Sequence, residues 1–302
     1  MGSNPASPTI ERQAPVPDPD AYPLAVTRAL VLGGGGPLGV GWQAGLLTAL
    51  ADAGVSLADA DFVVGTSAGA IVGAQLTTSR PLADLVRPIS ETAPWQASGP
   101  ADDGDPPDLA ELLSSRDPAD AVPEADWVAH FGFLGGVAWP PSFHCTAFSL
   151  DSGSFAVWDA SSGVELPRAV ASSCTVPGLV SPVTIGDQTW IDGGARDALN
   201  ADLAIGHDRV VAVSCMALAP PEGTTPDLLA GLLPGIRQRI DDLRVSGAKV
   251  EVVEPSEEFG ELSGWGRYLM DVSRTAAAFD AGVRQGQAEA ARLAPLWSAS
   301  WG

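Results

Sequence analysis

The sequence predicts an α/β fold of three layers, a mostly parallel central sheet flanked by helices. Three observations carry this expectation. Short apolar segments end in glycines and lead into helical stretches twice within the first eighty residues. Strand, glycine turn and helix in succession is the pattern of parallel strands with helices packed on them. The apolar fraction of 45% across 302 residues supplies enough side chains for one large core.

Thr27–Leu32 reads as the first strand, largely apolar as a strand buried on both faces would be. It stops at four glycines. A helix follows over Val40–Ala53, with Trp42, Leu46, Leu50 and Ala53 on one face and Gly54 placed to end it. Asp61–Gly65 is the second strand and Ala68–Leu76 the second helix. Residues 92–125, rich in Pro, Asp, Gly and Ser, read as an irregular insertion. Phe143–Leu150 and Ser154–Trp158 flank Asp151-Ser152-Gly153 as a hairpin. Glu165–Ser173 looks helical. Val183–Ile185 and Thr189–Ile191 form a second hairpin around Gly186-Asp187. Arg209–Ser214 and Lys249–Val253 are further strands, and Tyr268–Leu296 is an Ala-rich closing helix.

Residues 1–22, rich in Pro, Ser and Asp, are expected to be a disordered leader, and 23–302 to be one domain. The leader has neither the basic nor the apolar part of a secretory signal, and no segment is long and apolar enough to span a membrane. A cytoplasmic location is the default expectation. Cys145, Cys174 and Cys215 show no metal or redox spacing and are expected to be buried thiols. The net charge of −21 excludes nucleic acid as a partner, because phosphate is repelled. It leaves only a transient, apolar contact with a membrane.

The second turn, Gly65-Thr66-Ser67-Ala68-Gly69, has the form Gly-x-Ser-x-Gly between a strand and a helix. That sharp turn holds a serine hydroxyl clear of the backbone, where a carbonyl can reach it, and Gly65 and Gly69 let neighbouring elements approach. The helix behind it points its positive end at developing negative charge. A plain βα turn with a capping serine has the same local pattern. The first turn, Gly33 to Gly39, offers the amides of Gly34, Gly35 and Gly36 to an oxyanion. Gly34, Gly36 and Gly39 also fit the dinucleotide fingerprint, but that reading needs an acid at the end of the second strand. Asp59 and Asp61 precede that strand instead.

Two kinds of base are available. Ser67, Asp192 and His207 occur in the order of a hydrolase triad. His207, however, stands before its strand, at the edge of a parallel sheet opposite to Ser67. His144 reads as a packed strand residue, and His130 lies beside the irregular segment. Asp192, in Trp190-Ile191-Asp192-Gly193-Gly194, sits on an open turn and can accept the serine proton directly. The plainer alternative is a turn aspartate bonded to its own backbone.

Taken together and in this order, the glycine loop at 33–39, Gly-Thr-Ser-Ala-Gly at 65–69 and Asp-Gly-Gly at 192–194 resemble the patatin-like phospholipase family. The stretch 171–204 is similar to that family's segment around its catalytic aspartate. The resemblance implies a Ser67–Asp192 dyad with no metal or cofactor. It implies hydrolysis of a lipid or other acyl ester, of the lipase, phospholipase A or lysophospholipase type. A non-catalytic module that binds lipid or an acyl carrier is the alternative. The family's loop often carries Arg or Lys before its last glycine, where this chain has Leu38. That departure, with the acidic charge, favours neutral or zwitterionic lipids over anionic ones. The aromatic stretch Trp127, Phe131, Phe133, Leu134, Trp139 and Phe143 reads either as a flap over an acyl pocket or as core packing, with packing favoured.

Overall fold

The computed structural model describes residues 26–87 and 109–298. The expected leader, and residues 92–108 of the irregular segment, lie outside the described residues. Eight strands form one sheet. β1 (Arg28–Leu32), β2 (Phe62–Gly65), β7 (Arg209–Val213) and β8 (Lys249–Val253) run parallel, with β1 between β2 and β7. β3 (Phe143–Ser149) continues the parallel set beside β2. β4 (Phe155–Trp158) pairs antiparallel with β3, and β5 (Val183–Ile185) with β6 (Gln188–Asp192). Four residues of β1, Ala29 to Leu32, are fully buried, so both faces of the sheet are covered. The expected mostly parallel, helix-flanked sheet is the fold observed.

The sharing of β3 matters most for the site. β4 occupies one edge of β3 along Cys145–Phe148. β2 and β6 must therefore share the other edge. β2 pairs parallel with Phe143–Cys145 and ends at Gly65 opposite Cys145. β6 pairs antiparallel with Ala147–Ser149 and ends at Asp192 opposite Ala147. The C-terminal ends of β2 and β6 thus meet head to head, two residues apart along β3.

The first helix, α1 (Gly36–Asp52), begins four residues before its expected start, because Gly36 and Pro37 form its first turn. Proline suits that position, since its missing N–H has no intrahelical partner there anyway. α2 (Ala68–Thr77) follows β2 as expected. α3 (Leu109–Ser114) and α4 (Glu124–His130) occupy part of the region expected to be irregular. α5 (Leu166–Ser173) matches its expectation. α6 (Asp227–Ala230) and α7 (Leu233–Val245) fill a region for which the sequence reading names no element. Leu233, Ile236, Ile240 and Leu243 are the buried stripe of α7, and their spacing of three, four and three is the signal that finds it. After α8 (Glu257–Leu262), the closing helix α9 (Thr275–Ser298) starts later than expected, because turns occupy Gly264–Arg274. α9 lies against α1 so closely that a Cβ on Gly282 would come within 2.1 Å of the Trp42 carbonyl oxygen. Trp42 itself is fully buried, stacks on Phe259 and donates to Gln285 Oε1 at 2.9 Å.

Candidate active site

Ser67 follows β2 at the head of α2 with φ 55° and ψ −118°. A non-glycine residue at positive φ costs of order 1–3 kcal/mol and persists only where its surroundings enforce it. Here the enforcement is close packing. A Cβ on Gly65 would lie 2.3 Å from the Gly69 carbonyl oxygen, and one on Gly69 would lie 2.1 Å from that of Leu32. Only glycine at both positions allows β1, β2 and α2 to approach this far. The Ser67 amide donates to Ser173 Oγ at 3.1 Å, and the Cys174 thiol donates to the Ser67 carbonyl at 3.2 Å. Beneath the turn, the Thr66 hydroxyl meets that of Thr146 at 2.9 Å and accepts from Asn200 Nδ2 at 3.0 Å. All three side chains are fully buried.

The Ser67 side chain makes no cap bond to its helix. It lies instead beside the Asp192 carboxylate, near enough to lower that group's pKa. The capping-serine reading of this turn does not hold. The turn-aspartate reading of Asp192 holds in part, since Asp192 Oδ1 accepts from the Gly194 amide at 2.7 Å. Asp192 therefore braces its own turn while standing beside the serine. It keeps some accessible surface because it faces a cavity, yet burial pushes its carboxyl up to about 6, against the opposing pull of the Ser67 and Gly194 hydrogen bonds.

The glycine loop packs directly on the serine; a Cβ on Gly34 would lie 3.3 Å from Ser67 Cβ. The Gly34 amide, however, donates to the Ala198 carbonyl at 2.7 Å. That bond uses the proton that the sequence reading offers to an oxyanion, so Gly34 braces the loop. Among the described residues, no hydrogen bond engages the amides of Gly35, Gly36 or Ala68. Gly36 and Ala68 open α1 and α2, whose first amides have no intrahelical acceptor. Two helix N-termini therefore converge on the serine. The Ala68 amide is missing from the sequence reading, although the residue after the nucleophile is where the Gly-x-Ser-x-Gly turn places such a donor.

A cavity of about 430 Å³ opens over these groups. Val40, Ile71, Val176, Leu229, Leu232 and Met270 are among the apolar residues that line it, and Ser67 and Asp192 face into it. Trp127 and Phe131 also line the cavity and are almost fully buried, so these two members of the aromatic stretch serve packing and pocket wall at once. Phe133 stands exposed.

The sequence signature of the patatin-like phospholipases matches residues 30–205, more than half of the chain. The chain belongs to the patatin-like phospholipase family. An uncharacterized NTE family protein of Mycobacterium tuberculosis is 28% identical over 229 residues, covering 71% of this chain and 36% of that protein. The chain thus spans about a third of the length of this relative. Among solved structures, VipD from Legionella pneumophila aligns with a TM-score of 0.41 at 13% identity, over 85% of this chain and 67% of its own. The type III effector protein ExoU aligns with a TM-score of 0.33 at 16% identity, over 88% and 54%.

Among the described residues, no hydrogen bond joins Ser67 to His130, His144 or His207. His207 lies against Phe62, at the start of β2, with ring centroids 5.0 Å apart. The rest of β2, roughly 10 Å of strand at about 3.3 Å per residue, separates it from the elbow. His144 packs on the same Phe62 ring, at 4.5 Å. His130 does line the cavity, stacked on Trp127, and burial lowers its pKa. Cys145, Cys174 and Cys215 are free and buried as expected, and burial raises all three thiols, Cys215 to about 12. Among the described residues, no cluster of His, Cys, Asp or Glu has the makings of a metal site, and no helix is long and apolar enough to cross a membrane.

Proposed function

We propose that the chain is a serine acyl hydrolase of lipid-like esters that works through an acyl-Ser67 intermediate, with Asp192 as general base. One observation supports this reading above the rest. Ser67 is held in a strained turn with its side chain beside the Asp192 carboxylate and unbonded to its helix, facing an apolar cavity.

The steps follow from the contacts. With a substrate ester against Ser67, Asp192 takes the hydroxyl proton as Oγ attacks the carbonyl carbon. Charge collects on the former carbonyl oxygen. The amides of Gly35, Gly36 and Ala68 are the donors for it, reinforced by the N-terminal ends of α1 and α2. The protonated Asp192 then gives its proton to the leaving alkoxide, and the acyl group remains on Ser67. A water, deprotonated by the same carboxylate, attacks the acyl carbon; the bond to Ser67 Oγ breaks, Asp192 returns the proton to Oγ, and the acid leaves. A base with a pKa near 6 is ionised at neutral pH yet basic enough to accept a proton. The cavity falls within the usual range of ligand pockets, about 300–1,000 Å³, and its apolar lining suits an acyl chain.

A fluorophosphonate probe tests this reading. Wild-type protein should be labelled, and Ser67→Ala should not be. Absence of labelling on folded wild type would favour a lipid- or acyl-carrier-binding module that keeps the fold without the chemistry.

A further inference from the structure

One cation stands where the proposed chemistry has not used it. Among the described residues lining the cavity, Arg267 is the one with a permanent positive charge. It is exposed, as are Leu228 and Pro177, and the three mark the open rim. In a chain of net charge −21, an arginine has many carboxylates to pair with. No side-chain hydrogen bond or ion pair engages Arg267 among the described residues. Its neighbours Arg274 and Arg284, by contrast, bind Asp271 and Glu258.

The backbone beneath Arg267 is unusual as well. Gly264, Trp265 and Gly266 are three successive residues at positive φ, of 57°, 52° and 109°. Trp265 carries the penalty of that conformation as a bulky residue, and its ring packs on Gly260, where a Cβ would lie 2.6 Å away. A Cβ on Gly266 would meet Leu229 at 2.7 Å, so the turn is fitted against the helical turn that carries Leu228. A strained, tightly fitted turn that ends in an unpartnered guanidinium at the mouth of an apolar pocket has the form of an anion anchor.

We propose that Arg267 is a specificity-determining residue that receives a phosphate oxygen of a single-chain lysophospholipid whose acyl ester lies at Ser67. This rests on the acyl-hydrolase reading above. A guanidinium presents paired N–H donors that match a phosphate. The apolar lining takes the chain, the rim takes the head group, and the ester falls between them. A zwitterionic head group fits best, because its phosphate meets Arg267 while its cationic end faces an acidic surface.

The test compares two esters with the same acyl chain, a lysophosphatidylcholine and a monoacylglycerol, both below their micellar concentrations. In Arg267→Gln, the ratio of kcat/KM for the phosphate ester to that for the neutral ester should fall at least tenfold, mainly through KM. Arg267→Lys should recover part of it. Binding of lysophosphatidylcholine to Ser67→Ala protein, followed by calorimetry, gives a readout free of turnover. Adding Arg267→Gln there should raise Kd at least tenfold, with little change for the monoacylglycerol. Equal shifts for the two lipids, or no shift for either, would overturn the assignment. Lysophospholipid binding that depends on Arg267 in a wild type without turnover would instead sustain this assignment and sink the hydrolase reading.

Discussion

Asp192 is held between opposing influences, and two measurements separate them. Burial raises its carboxyl to about 6, while the Ser67 and Gly194 hydrogen bonds pull it down. As the proposed base it must be ionised, so kcat/KM on a neutral ester should rise with pH through about 6 and level off above about 7. Asp192→Asn should lower turnover by about 10²–10⁴-fold, the usual worth of a positioned base. Stability should move the other way. The folded pKa lies above the unfolded one, so the folded protein binds the proton more tightly, and the resulting stabilisation is present near pH 4 and lost as pH rises through about 6. An uncharged amide in place of the carboxylate escapes that loss. Thermal melts should therefore show Asp192→Asn more stable than wild type at pH 8, by on the order of 1–2 kcal/mol, with the advantage gone near pH 4. A variant less stable at pH 8 than at pH 4, relative to wild type, would contradict it. The histidines offer a contrasting set. His207→Gln and His130→Gln should each keep most of the turnover, and a loss as deep as that of Ser67→Ala in either would point to a histidine base.

At the scale of elements, close backbone contact is what makes several glycines irreplaceable. Gly282 on α9 touches the Trp42 carbonyl of α1, and an added methyl there has no room. Gly282→Ala should lower stability by about 1–3 kcal/mol, the ordinary cost of overpacking, read as a fall in melting temperature. Legibility from sequence follows the same physics. β1, β2 and α2 are visible because apolar runs end at Gly33 and Gly65, where local pattern and tertiary packing agree. The start of α1 is misplaced because consecutive glycines look like loop until a proline sets the first turn. The Gly34 amide could not be assigned from sequence, since its acceptor, the Ala198 carbonyl, is a backbone group more than 160 positions away. Arg267 is invisible for a like reason; what distinguishes it is a neighbouring cavity and the lack of a side-chain partner among the described residues, and neither is a property of local sequence.

For the whole molecule, the charge of −21 acts at a distance that the pocket does not. Its field repels anionic surfaces over roughly 8–10 Å at physiological salt. Vesicle flotation should find less protein on anionic than on zwitterionic bilayers at low salt, with the difference shrinking as salt is added. Stronger retention on anionic vesicles at low salt would show that a local basic patch overrides the field.

The shared edge of β3 has a consequence for how activity arises in time. Ser67 and Asp192 are far apart along the chain, and each is correct only relative to a strand that neither belongs to. A shift of β6 by one residue along β3 would carry its carboxylate about 3.3 Å and turn it to the other face of the sheet. No hairpin or isolated βα unit contains both groups, so a partly assembled chain has a serine without its proposed base. Activity would then wait for β2 and β6 both to pair with β3. In a refolding experiment, fluorophosphonate reactivity should return with the slowest structural phase, and a faster return would mean that the pair forms before the sheet is complete.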